Sequence, residues 1–140
     1  MSAQKTGDII LRGRTQVRAT RVFSPRDGRS RLEKTTEGTG TLAGTEILIQ
    51  STAELVEIGP DSYTATSTAV LTAKEGGDIV LSSACGAAHR EAGAQKLIWR
   101  GHLALSTRSS RFADLDGALV AFVSHLSDSG ELTVEGTKWR

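Results

Sequence analysis

The stretch T45-E-I-L-I-Q-S-T-A-E-L-V-E-I58 alternates apolar or small residues with polar ones, and the same alternation returns in Y63-T-A-T-S-T-A-V-L-T-A73. A period of two residues is typical of a β-strand that buries one face. In both stretches the odd-numbered positions hold most of the apolar and small side chains, so we expect the odd face to point to the core. The residues between them, G59-P-D-S62, favour a turn. The two stretches therefore predict a β-hairpin.

The rest of the chain repeats this pattern of strands and turns. Further period-two segments cover residues 7–12 continuing through 15–23, 31–42, 79–89, 97–106, 117–126 and 131–139. The one interruption is S109-S-R-F-A-D-L-D-G117, where Phe112 and Leu115 fit a single helical turn. Regular spacing of this kind suggests an antiparallel barrel or a sandwich. We predict an all-β fold, an up-and-down barrel of about eight strands with a short helical turn near 109–116, formed by residues 1–140 as a single domain.

Composition and a few single residues narrow the class of protein. Of the 140 residues 38% are hydrophobic, and no apolar run approaches the roughly 18 residues of a membrane span. The segment M1-S-A-Q-K-T-G-D8 has no apolar signal region, which predicts a cytoplasmic location. His89, His102 and His125 lack the spacing of metal ligands, and Cys85 is the only cysteine. We therefore predict no metal, no cofactor and no membrane partner.

Small side chains collect at one level of the predicted barrel. If the strands alternate regularly, the odd-numbered residues of 79–87 and 97–105 also point inward. The inward positions near the strand centres are then Ser51, Ala53, Ala65, Ser67, Ser83, Cys85 and Gly101. Protein interiors pack at high density, so this level is either filled by large residues or kept for a ligand. In the filled interpretation the plug consists of Tyr63, Trp99, Phe112, Leu115 and Phe122.

The order of several features resembles the small bacterial barrels of the allene oxide cyclase-like class. These features are the glycine-rich T39-G-T-L-A-G44, the long alternating strands, and R111-F-A-D-L-D-G117 before the final hairpin. An aromatic-x-x-Leu-x-Gly element, here F112-A-D-L-D-G117, carries the similarity. Barrels of this class include plant allene oxide cyclases, bacterial spiro-forming polyketide cyclases and many proteins of unknown function. The resemblance implies an open-ended barrel that binds an apolar molecule, often within an oligomer, and it assigns no catalytic residue.

The predicted ligand-binding residues are selected from the small-residue level and from its plug. They are Tyr63, Ser67, Ser83, Cys85, Trp99, Phe112 and Phe122. Tyr63 and Ser83 would offer hydrogen bonds to a carbonyl group, and Trp99 a flat wall. No base is readable beside Cys85, which favours a buried structural thiol.

Two functional hypotheses remain open at this stage. The first is a barrel that binds a small apolar molecule, polyketide- or lipid-like, and that guides its cyclisation by shape if it is a catalyst. The second is a filled barrel that serves as a non-enzymatic oligomerisation or interaction module. Sequence alone leaves enzymatic activity undecided.

Three surface features concern possible partners. Both faces of G117-A-L-V-A-F-V-S-H-L126 are apolar, which predicts an exterior contact in a homo-oligomer, with a dimer as the first expectation. His125 would look into a barrel mouth if the odd-numbered residues of this strand faced inward.

The arginines between residues 12 and 31 form either a solvated face with ion pairs or a site for an anionic ligand group. Nucleic acid is disfavoured because Phe23 is the only aromatic residue in that segment.

Overall fold

A computed structural model, which describes residues 8–91 and 96–139, shows eight antiparallel strands closed into a barrel. The strands are β1 Ile9–Arg26, β2 Arg29–Leu42, β3 Thr45–Gly59, β4 Ser62–Ala73, β5 Ile79–Arg90, β6 Lys96–Thr107, β7 Leu119–Ser127 and β8 Glu131–Lys138. Each strand pairs with the next along the chain, and β8 returns to pair with β1. The predicted all-β, eight-stranded up-and-down barrel is confirmed. The segment used to predict location, 1–8, lies outside the described residues except for Asp8.

Two hairpins turn through two-residue loops with positive backbone angles. Asp27 and Gly28 link β1 to β2 with φ of 54° and 71°, and Ala43 and Gly44 link β2 to β3 with φ of 48° and 80°. Two successive positive φ angles are typical of a type I′ turn, whose twist matches that of paired strands. These turns fix the register of the first three strands.

A short 3₁₀ helix, Ser110–Leu115, covers one end of the barrel between β6 and β7. Its Phe112 and Leu115 are buried in the main hydrophobic core. Just before it, Ser109 Oγ donates a hydrogen bond of 2.8 Å to Asp78 Oδ1, which ties the helix to the β4–β5 connection. The predicted helical turn is confirmed, and this end is the covered end of the barrel. Within the described residues, no helix is long and apolar enough to cross a membrane.

At the opposite end, β1 extends past the end of β8 and forms an arm with β2, which itself stays paired with β3 as far as Arg31 opposite Val56. The pairing of β1 with β8 ends at Gln16 opposite Glu131, whereas its pairing with β2 continues to Arg26 opposite Arg29. A bulge at Arg18 separates the two parts of β1. After the bulge the even-numbered residues, rather than the odd-numbered ones, lie on the inner face. The arm therefore stands beside the open end of the barrel.

Glycines occupy a contact between β5 and β6 that has no room for a side chain. Gly86 and Gly101 are direct partners in the register of the two strands. A Cβ atom at Gly101 would lie 2.0 Å from the carbonyl oxygen of Cys85, and one at Gly86 would lie 2.1 Å from that of Arg100. Such positions in strands mark tight bends or a close approach of two backbones.

The same arrangement recurs between β1 and β2, which lie on the other side of the closed ring. A Cβ atom at Gly40 would lie 2.0 Å from the carbonyl oxygen of Arg12, and one at Gly38 would lie 2.1 Å from that of Arg14. Glycine kinks of this kind allow a sheet to curve into a barrel. The two glycine contacts are therefore the corners of the barrel.

We expect Gly101→Ala to lower the free energy of unfolding by roughly 1–3 kcal/mol or more, because the new methyl group would overlap the opposite backbone. Gly59→Ala is the matched control, since no atom lies within 4 Å of the position that its Cβ would take and its φ is not left-handed. Thermal unfolding followed by circular dichroism compares the two variants with the wild type. Equal melting temperatures for all three proteins would contradict the proposed role of this corner.

Candidate functional site

Three of the four inner faces predicted from the sequence are confirmed. The odd-numbered residues of 47–55 on β3 and of 63–71 on β4 are buried or half-buried. The odd-numbered residues of 97–105 on β6 likewise face the interior. These faces supply most of the wall of the barrel lumen.

β5 is the exception, and the inner face predicted for it is wrong. Ser82 and Ala84 are buried, whereas Ser83 and Cys85 are exposed on the outer surface. Small residues occupy both faces of this strand, so the polarity of the sequence does not distinguish them. The register decides, because Ser82 is the direct partner of the inward-facing Leu105 on β6.

Cys85 is a free and exposed thiol, so the predicted buried structural role is wrong. Its direct partner on the outer face of β6 is His102. The ring of Trp139 stacks on the His102 imidazole, with centroids 5.0 Å apart and an angle of 9° between the planes. These side chains lie outside the barrel and take no part in lining its interior.

Trp99 and Phe122 fill much of the middle of the barrel. Their rings meet edge to face, with centroids 5.0 Å apart and planes at 88°. A cavity of about 70 Å³ remains beside them, and its wall is mainly apolar. The polar side chains of the wall are Thr15, Ser51, Ser67, Ser82 and Ser124. Trp99 and Phe122 of the predicted plug therefore lie at this level, and a ligand in the remaining space stays a prediction.

Two polar atoms of the cavity wall are buried without a hydrogen-bond partner among the described residues. They are Thr15 Oγ1 and Trp99 Nε1, and Thr15 as a whole is only 5% exposed. By contrast, Ser124 Oγ donates to the carbonyl oxygen of Thr133 at 2.9 Å. Leaving a buried polar atom unpaired costs about 1–3 kcal/mol. A ligand that places an oxygen atom within hydrogen-bond distance of Thr15 Oγ1 and Trp99 Nε1 would therefore be stabilised in the cavity.

The open end of the barrel contains a wider space of about 370 Å³, which we call the open-end hollow. Its apolar lining consists of Val17, Leu32, Leu55, Leu97 and Leu126. Three of these form a leucine layer, Leu55, Leu97 and Leu126, which packs against Trp99 and separates the hollow from the cavity. Small-molecule pockets usually measure roughly 300–1,000 Å³. The hollow reaches this range, whereas the cavity alone does not.

Polar side chains surround the apolar lining of the hollow. They are Thr20, Lys34, Tyr63, Arg90, Ser127, Asp128 and Ser129. Arg90 lies 3.4 Å from Asp128 and 3.9 Å from Asp61. Lys34 Nζ donates a hydrogen bond of 3.2 Å to Thr20 Oγ1. An apolar floor with a polar rim can hold an apolar body and orient one polar group.

Arginines elsewhere in the basic N-terminal segment form ion pairs on the outer surface. Arg18 lies 3.1 Å from Glu37, and Arg31 lies 2.9 Å from Glu54. The side chains of these pairs are between 36% and 59% exposed. This favours the solvated, ion-paired interpretation for the two arginines.

The structure brings together four of the seven predicted ligand-binding residues. Tyr63 lines the open-end hollow, and Ser67, Trp99 and Phe122 line the cavity beneath it. Their contact with a ligand stays a prediction. For Tyr63, Ser67 and Trp99, the shared inward face of each strand is the signal that located them in the sequence.

The other three predicted residues lie elsewhere. Phe112 packs in the core beneath the covered end, and Ser83 and Cys85 face outward. The sequence analysis missed Thr15 and Lys34, which line the cavity and the hollow respectively. Polar residues occur on both faces of β1 and β2, so alternation did not single out either residue.

Histidine and acidic side chains form no evident metal site. Across the two described ranges, no group of three or more His, Cys, Asp or Glu residues is placed to hold a metal ion. His125 lies on the outer face of β7, because Phe122 and Ser124 of this strand face the cavity. The condition under which His125 would look into the barrel mouth, an inward odd-numbered face of β7, is therefore not met.

We expect Cys85 of the native protein to react completely with a water-soluble maleimide in the absence of denaturant, because its thiol is exposed. Mass spectrometry would report one added maleimide per chain. Cys85→Ser is the control and should gain none. Reaction only after unfolding would show that Cys85 is buried and that the inner face of β5 is the one first predicted.

Comparison with solved structures places this barrel beside two proteins without an assigned function. A protein of unknown function from Clostridium acetobutylicum ATCC 824 superposes with a TM-score of 0.81 at 7% sequence identity, over 95% of this chain and 98% of that chain. A conserved protein of unknown function from Rhodopseudomonas palustris gives a TM-score of 0.72 at 10% identity, over 99% of this chain and 98% of that chain. No protein-family model matches the sequence, and no curated protein matches it. At these identities the similarity shows the fold alone.

Proposed function

We propose that the barrel binds a small, largely apolar molecule at its open end. The observation that carries this proposal is the open-end hollow, a space of about 370 Å³ with an apolar floor and a polar rim. Beneath it, Thr15 Oγ1 and Trp99 Nε1 lack partners within the described part of the chain. The bound molecule would lay its apolar body on the leucine layer, and an oxygen-bearing group would have to displace leucines of that layer to reach these two donors.

The chemistry of the cavity wall favours binding over acid–base catalysis. Its polar groups are hydroxyls and one indole N–H, which do not exchange protons readily near neutral pH. A cyclase of the kind that the resemblance implies would act by shape, holding a flexible substrate in a folded conformation. Cyclisation, a polyketide- or lipid-like ligand and a cytoplasmic location stay predictions.

A neutral fluorescent probe, N-phenylnaphthylamine, tests the proposal without knowledge of the natural ligand. We expect its emission to rise with wild-type protein in a saturable manner, because the open-end hollow has an apolar floor. Leu32→Trp should weaken probe binding at least several-fold, since Leu32 lines the hollow and the larger side chain would occupy it. Fluorescence titration measures both affinities.

Val22→Trp is the matched control for this experiment. Val22 lies on the same arm, is 73% exposed and does not line the hollow. It should bind the probe as the wild type does, with circular dichroism confirming the fold of both variants. Absence of saturable binding, or equal binding by both variants, would contradict a site in the hollow.

A second proposal concerns assembly, and it rests on the outer surface. Among the described residues, six large apolar side chains of the outer surface are between 45% and 55% exposed: Leu48, Ile58, Ile79, Leu81, Leu119 and Trp139. Leu81 also lines a concave outer surface that extends across β2 to β6. Apolar surface of this kind is a frequent feature of subunit contacts. We therefore propose that the chain forms a homo-oligomer, with a dimer as the simplest closed form.

Light scattering at micromolar concentration should report a mass above that of one chain. Leu81→Glu is expected to shift the distribution toward monomer, because it places a charge within the proposed contact. Ile58→Glu is the control, since Ile58 is also exposed, at 52%, but does not line the concave surface. A wild-type protein that is entirely monomeric would contradict the proposed assembly.

A further inference from the structure

The two cations that line the open-end hollow differ in how their charge is balanced. The Arg90 guanidinium lies near two carboxylates, those of Asp128 and Asp61, at 3.4 Å and 3.9 Å. Lys34 has no described carboxylate within 4.0 Å of its ammonium group. Its hydrogen bond of 3.2 Å goes to the neutral hydroxyl of Thr20. Of the two described cations that line the hollow, Lys34 is therefore the one without a carboxylate beside it.

The fold directs Lys34 toward the hollow. Lys34 is paired with Ala53 of β3, whose odd-numbered residues form the inner face, and with Thr20 of the arm. It is half-buried and lines the same space as Leu32 and Leu55. An ammonium group held beside apolar side chains is favoured when an opposite charge accompanies it.

On the outer surface of the same strand, two charged side chains form ion pairs within the protein. Glu37 of β2 pairs with Arg18 at 3.1 Å, and Arg31 of β2 pairs with Glu54 at 2.9 Å. Lys34, which faces inward, has no such partner among the described residues and can therefore bind an anion from outside the protein.

We propose that the molecule bound at the open end carries one anionic group, which is held by Lys34 and Thr20. The Thr20 hydroxyl accepts from Lys34 Nζ and can donate its own proton to the anion, so both residues would contact it. The apolar body would then extend over the leucine layer toward the interior. This inference rests on the proposed function and adds the class of ligand, an apolar carboxylate, sulfonate or similar monoanion.

Two probes that share one ring system test the charge separately from apolar binding. Anilinonaphthalenesulfonate has the apolar frame of N-phenylnaphthylamine and adds a sulfonate. We expect wild-type protein to bind the sulfonate probe about tenfold more tightly than the neutral probe, the effect of one charge-assisted hydrogen bond. Added salt should weaken binding of the sulfonate probe and leave the neutral probe unaffected.

Lys34→Met should remove the preference for the sulfonate while preserving the affinity for N-phenylnaphthylamine. Lys34→Arg keeps the charge and should retain the preference, which separates loss of charge from a disturbance of the arm. Lys74→Met is the matched control, because Lys74 is exposed in the β4–β5 connection near the covered end. It should leave both affinities unchanged.

The possible failures of the two proposals are distinguishable. The anionic class would be overturned if the wild type bound both probes with equal affinity. It would also be overturned if Lys34→Met and Lys34→Arg both weakened the binding of both probes to the same extent. In either case the proposed apolar site would remain. A preference for the sulfonate that survives in Lys34→Met would also overturn this inference, since the anion would then be bound elsewhere. Absence of binding by either probe would overturn the proposed function and this inference together.

Discussion

The close approach of backbones at the glycine corners is the constraint on which the rest of the barrel depends. At Gly86 and Gly101 the carbonyl oxygens of the opposite strand occupy the space that a Cβ atom would need, and Gly38 and Gly40 repeat this on the other side of the ring. A closed sheet of eight strands has to curve, and it curves most readily where side chains are absent. The corners divide the barrel into two faces of four strands, β2–β5 and β6–β1.

This division explains the large number of small residues in the lumen. Ser51, Ser67 and Ser82 lie on β3, β4 and β5, which belong to one face. Trp99 and Phe122 lie on β6 and β7, which belong to the other, and all five line the same cavity. Large side chains on one wall are thus accommodated by small ones on the opposite wall. Ser51 and Ser67 of the small-residue level predicted from the sequence, together with Ser82, are the complement of the two aromatic rings, and the remaining space is about 70 Å³.

The two ends of the barrel differ for a related reason. At the covered end, Phe112 and Leu115 of the 3₁₀ helix complete the core. At the open end the leucine layer ends the core, and the wall continues upward on the β1–β2 arm, which brings Thr20, Leu32 and Lys34 to the rim. Small-molecule sites usually combine an apolar floor with a few polar groups. Here this arrangement arises because β1 is longer than β8.

The sequence by itself determined the class of fold, because a period of two and regular turn signals describe each strand locally. It also located the inner faces of β3, β4 and β6, where apolar and polar residues separate clearly, and hence Tyr63, Ser67 and Trp99. Only the tertiary structure decided the face of β5, since its side chains are small on both sides and the register with β4 and β6 sets its orientation.

The candidate site depends even more on the tertiary structure. Thr15 and Lys34 are ordinary polar residues in ordinary strands, and nothing in their local sequence indicates that they line the interior. Closure of β1 against β8 brings Thr15 beside the cavity, and the bulge at Arg18 lets Thr20 and Lys34 face the hollow together. Local alternation determines which residues can share a face, but closure of the ring and the bulge determine which of them meet, because these contacts join residues far apart in the chain.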